Sequence, residues 1–165
     1  MKKQISTTQS AANIAEVMKI LRQTPRQLAA LSRGLSDQRL REPLTAGERS
    51  FVESLAHLIN MEAISSDAIY LALMRDEPVL PGIHAERDLG KLLRFDRLSF
   101  NEMLAYFRIR RTILLRTLES LTDEKWSRRI CENGKARKES LYWRARGLAL
   151  HELEHLEDLE GKLQT

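Results

Sequence analysis

The stretch FNEMLAYFRIRRTILLRTLESL, residues 100–121, decides the fold. Phe100, Leu104, Phe107, Leu114, Leu118 and Leu121 fall into one row stepping by three and four, with Arg111 in the same row. That period draws a single apolar seam along an α-helix and predicts one long helix from about Asp96 to Leu121. A seam of coiled-coil type must be covered by other helices. Arg111 in the seam predicts an internal ion pair, because a buried guanidinium needs a partner; Glu62 is the candidate.

Three more helices read outward from this one. Ile14, Val17, Met18, Leu21, Leu28 and Leu31 follow helical spacing from about Ser10 to Leu35. Pro25 inside that run predicts a kink or a restart capped by Thr24, and Gly34 a stop. Residues 36–49 hold Pro43 and Gly47 and read as a loop. Ser50, with Glu53 three residues on, forms a capping box for a helix reaching about Met74. A long irregular connection follows around Pro78, Pro81 and Gly82, with a short helical piece near Leu89, Leu92 and Leu93. The polar segment Thr122 to Glu139 reads as irregular, and a last helix starts at Ser140. No segment reads as a strand. The expected fold is all-α: a four-helix bundle with a long crossover between helices two and three, forming one domain over residues 1–165.

Composition narrows the function. No apolar run approaches the ~18 residues of a membrane span, and the basic N-terminus lacks the apolar stretch of a signal peptide. The single cysteine, Cys131, excludes an intramolecular disulfide and a thiolate-cluster metal site; it fits a reducing cytoplasm and an inert side chain. The 27 basic residues are mixed with 23 acidic ones, for a net charge of +4. The basic stretches 108–111 and 135–138 lack the aromatic interleaving of a single-strand binder, so nucleic acid is not an expected partner.

The chain has four histidines, and three of them form a pattern. His151 and His155 stand four apart, so they share a helical face, at the edge of the stripe formed by Leu148 and Leu159. His57 lies near the start of the second helix on a face shared with Leu58, Met61 and Ile64. Two neighbouring imidazoles at an apolar edge each need a partner, and a metal ion satisfies both. Three histidines with an open fourth position describe a reactive site better than a structural one. His151-Glu152-Leu153-Glu154-His155 also matches the H-E-x-x-H zinc-protease pattern, but the extended version requires glycine at 158 and histidine at 161, where this chain has Asp158 and Gly161. Glu152 is either a proton acceptor or partner beside the ligands, or an ordinary surface glutamate. His84, in the long connection, is expected to be exposed.

The segment Ser50 to Glu62 resembles the WS-x-x-E-x-L-x-H-L-x-D-x-E pattern of the DinB-like (DinB/YfiT) superfamily of metal-binding four-helix-bundle proteins. His151-Glu152-x-x-His155 is similar to that family's C-terminal H-[DE]-x-x-H segment; Leu21-x-x-Thr24-Pro25-x-x-Leu28, Gly34-Leu35-Ser36 and Phe107-x-x-x-Arg111 also fit. Arg49 replaces the family's Trp and Asn60 its Asp, the second departure bearing on the surroundings of His57. The resemblance implies a divalent metal, zinc or nickel, on His57, His151 and His155, with Glu152 as the catalytic candidate. It also implies a homodimer and a small thiol co-substrate. The activity expected is a metal-dependent thiol S-transferase or hydrolase; the alternative is a non-enzymatic interaction or stress protein with an empty or structural site.

Overall fold

A computed structural model describes residues 5–163; the basic start, Met1 to Gln4, lies outside the described residues. Four long helices carry the fold: α1 (Ala11–Leu31), α3 (Phe51–Met74), α5 (Phe100–Glu119) and α7 (Leu141–Leu163). Short helices α2 (Asp37–Arg41), α4 (Lys91–Leu93) and α6 (Asp123–Trp126) lie between them. Side chains cap most of the starts. Ser50 and Glu53 form the expected capping box on α3, and Ser99 and Glu102 form a second one on α5. That second box starts α5 at Phe100 rather than Asp96. Ser10 caps α1 and Ser36 caps α2, which occupies part of the region read as loop.

Each long helix packs on two others: α1 on α5 and α7, α3 on the same pair. Phe51 and Phe100, at the starts of α3 and α5, meet edge to face at 5.3 Å, and Arg110 Nη2 donates to Ser66 Oγ further along at 2.8 Å. These helices therefore run parallel, and the chain between them must travel back along the bundle. This is the long crossover. It contains a π-helical turn, Ala85–Gly90, continuing into α4.

Pro25 does not restart the helix: α1 is continuous through it. Thr24 is not a cap but is buried, its hydroxyl donating to the Ile20 carbonyl at 3.1 Å. The irregular stretches also contain short strands, contrary to the strand-free reading. β1 (Val79–Leu80) pairs parallel with β2 (Arg129–Glu132), which pairs antiparallel with β3 (Glu139–Ser140). Strands of two and four residues leave too little alternation to read, so only the fold brings them together.

The core has two apolar clusters. One gathers Phe51, Leu55, Phe107, Leu156 and Leu159; the other gathers Leu21, Ile69, Leu114, Tyr142 and Leu148. Glu62, Arg111 and Glu152 are buried, each lying in sequence between contributors to the two clusters on its own helix. Among the described residues no helix is long and apolar enough to cross a membrane.

Candidate metal centre

Capping fixes where α3 begins, and therefore where His57 points. Two turns in from Ser50, it faces α7, whose Leu148, Leu156 and Leu159 are buried on the side that also presents His151 and His155. The antiparallel packing of α3 and α7 brings the three together. Their available ligand atoms all lie within 4.8 Å of one another, and His57 Nε2 is 2.9 Å from His151 Nε2.

Glu86, in the π-helical turn, completes the arrangement. His57 Nδ1–H donates to Glu86 Oε1. A proton on Nδ1 leaves Nε2 of the neutral ring as a bare lone pair, aimed at His151. Either one shared hydrogen or a cation must lie between the two nitrogens. The surroundings favour neutral rings. Burial lowers the His57 pKa, against the pull of Glu86. Burial also lowers that of His151, with His57 adding to it. Burial, then His151 and His57, takes His155 down to about 4. The Arg49 cation depresses all three further. Three neutral imidazoles, one oriented by a carboxylate, are a donor set suited to a borderline divalent cation such as zinc or nickel.

Arg49 and Asn60 acquire definite places. The Arg49 guanidinium lies 3.7 Å from Glu86 Oε1, so the departure from Trp adds a charge beside the site. Asn60 is buried against Gly90 of the π-helical turn, where a Cβ would come within 3.6 Å of its Nδ2. It therefore packs beside the turn that carries Glu86. His84 is exposed as expected and stays out of the triad; its Nδ1 accepts from the N–H groups of Glu86 and Arg87, both at 3.2 Å, capping the same turn. Sequence reasoning missed Glu86. Its weak signal was an acidic residue two positions after His84 in a connection with no legible period.

Glu152 points elsewhere. It is fully buried, and both its oxygens accept from Arg111. Arg111 also donates to Glu62 Oε2 at 3.0 Å, the expected pair with a second carboxylate added. Burial, reinforced by Glu152 and opposed by Arg111, raises the Glu62 pKa to about 7. Cys131 lies in β2, half-buried, opposite Val79 of β1.

Two cavities meet at His57 and Glu86. One, of about 320 Å³, has charged walls that include Arg49, Lys91 and Arg94. The other, of about 480 Å³, is largely apolar. On the far side His151 and His155 open towards Glu154, Glu157 and Asp158.

The fold and site define a helical bundle with a histidine triad that could hold a metal ion. The chain belongs to the DinB superfamily, whose family model matches residues 20–159. Its structure is similar to that of YfiT from Bacillus subtilis, described as a probable metal-dependent hydrolase with an unusual four-helix bundle topology. That match has a TM-score of 0.85 at 16% identity and covers 98% of this chain and 91% of the other. It is also similar to TT2238, a four-helix bundle protein, with a TM-score of 0.64 at 20% identity over 90% of this chain and 98% of that one. No curated protein sequence matches the chain.

Proposed function

We propose that this protein is a metal-dependent enzyme, a hydrolase or thiol S-transferase, with zinc or nickel on His57, His151 and His155. One observation carries the reading: the His57 Nε2 lone pair faces His151 Nε2 at 2.9 Å, with His155 in the same cluster of potential ligands. A divalent cation there supplies Lewis acidity that eases the loss of a proton from water or a thiol.

The protein's own groups do the rest. Glu86 holds the proton on His57 Nδ1 and keeps Nε2 free. Glu152 is a positioning residue in this reading: its bonds to Arg111 lock the face of α7 that carries both histidines. The charged cavity, whose Arg49, Lys91 and Arg94 are matched by Glu53, Glu86 and Asp96, suits a polar thiol carrying charges of both signs, which supports the transferase branch. The description of YfiT as a probable metal-dependent hydrolase supports the hydrolytic branch. A homodimer in the cytoplasm is part of the proposal.

Metal analysis of protein purified without a histidine tag tests it. About one divalent ion per chain is expected, falling to near zero in His155→Ala. Assays with a chromogenic ester, and with a thiol plus an aryl halide, then separate the two branches. A chain that takes up no metal on titration would leave the non-enzymatic bundle as the better description.

A further inference from the structure

We infer that the apolar cavity beside His57 binds an uncharged, largely apolar small molecule, the electrophile of the proposed reaction; the assignment of its role rests on the metal-dependent reading of the triad. Met61, Ile64, Ala68 and Leu71 of α3 all line it, stepping by three and four along one face of the helix. The crossover supplies the opposite wall through Leu80, Pro81, Ile83 and Leu89. Ile64 and Leu71 belong to the apolar surface of α3, yet they are only partly buried. A cavity lies over them rather than another helix. Its volume, about 480 Å³, is within the range of roughly 300–1,000 Å³ usual for small-molecule sites.

Charge settles what kind of molecule fits. The cations lining the cavity are Lys135 and Arg144. Both are already paired: Lys135 with Glu132 at 3.0 Å, and Arg144 with Glu132 at 3.0 Å and Glu139 at 2.9 Å. Asp67, Glu86 and Glu132 also line the cavity, so carboxylates outnumber cations there. An anionic ligand would find no free counter-charge and would lose its hydration. An uncharged one loses little, and its apolar body gains from burial. The cavity is lined by His57 and Glu86, so a bound molecule can present its reactive end beside the first member of the triad. The charged cavity on the other side of His57 is left for a polar co-substrate.

The test uses the zinc-loaded full-length protein and N-phenyl-1-naphthylamine, an uncharged fluorophore. Saturable one-to-one fluorescence enhancement is expected, with 1-octanol displacing the probe at about tenfold lower concentration than octanoate. Ile64→Trp fills the cavity and should abolish the enhancement. Ile83→Asp places a charge at an exposed position, where folding is not at stake, and should weaken probe binding about tenfold. Both variants should still bind zinc. The inference is overturned by a wild type without saturable binding, by octanoate displacing as well as octanol, or by wild-type affinity in both variants. Each of those results leaves zinc stoichiometry, and so the metal reading, untouched. Probe binding in a protein that takes up no zinc overturns the metal reading and, with it, the assignment of the occupant as the electrophile.

Discussion

Arg111 repairs what Pro25 breaks. The proline has no N–H to offer the Leu21 carbonyl four residues earlier, and the Arg111 guanidinium donates to that carbonyl from α5. The same side chain holds Glu62 and Glu152, so one buried cation joins all four long helices. Arg111→Met should therefore destabilise the fold by about 3–5 kcal/mol in urea unfolding, since it strands two carboxylates and a carbonyl. Pro25→Ala should recover about 1 kcal/mol in the Arg111→Met background and less in the wild type, because only there is the restored N–H needed. A double-mutant cycle without coupling would refute the link.

The carboxylate pair around that cation sets a pH dependence. Glu62 has its folded pKa raised from 4.5 to about 7, chiefly by burial. Its contribution is fully present below the unfolded value and is lost as pH rises through the folded one. Wild type should lose about 3 kcal/mol relative to Glu62→Gln between pH 4.5 and 8, since the amide mimics the protonated acid. Melting temperatures of both proteins across that range give the answer; parallel curves would show that folding leaves the Glu62 pKa where it was.

The histidines slope the other way. Their folded pKa values lie below 6.5, mainly through burial, so their contribution is present above 6.5 and is lost as pH falls, for His155 towards about 4. The proposed site is therefore already deprotonated at neutral pH. Metal uptake at pH 7 should release few protons from the imidazoles, below ~0.5 per ion. Calorimetric titration in buffers of different ionisation enthalpy measures this number directly. Release of two or more protons would mean that the triad is charged before metal arrives.

Glu86 should matter to the metal without touching it. Glu86→Gln keeps the size of the side chain but weakens its hold on His57 Nδ1–H. Metal affinity should drop roughly 10–100-fold, with the melting temperature of the metal-free protein little changed. Competition against a chelator would reveal it, and an unchanged affinity would remove Glu86 from the site.

The proposed homodimer has a candidate surface on α5. Tyr106, Ile109 and Ile113 share one face and are 38%, 63% and 52% exposed. Ile109→Glu should convert the dimer to a monomer in light scattering, while a wild type that is already monomeric would end that proposal.

The long periodic helices were legible because each buries a continuous stripe; every seam residue from Phe100 to Leu118 is buried, Arg111 included. The triad was legible because two of its members share a helix face and the third sits a fixed distance after a capping box. Glu86, the strands and the α1 geometry at Pro25 were not. Each depends on contacts between residues far apart in the chain: Glu86 with His57, Val79 with Cys131, Arg111 with Leu21. Local pattern carries no trace of such pairings.

The parallel run of α3 and α5 obliges residues 75–99 to return along the outside of the bundle, and that return path forms walls of both cavities beside His57. The imidazoles of the triad stand on long, well-packed helices, whereas the walls of the cavities beside His57 come largely from a connecting segment. Such segments tolerate sequence change far better than packed helices do. In the proposed reading, one scaffold exchanges its substrates by rewriting that single stretch of chain while the metal site on the helices stays constant, and substitution at Leu80, Pro81, Ile83 and Leu89 is the direct route to a new specificity.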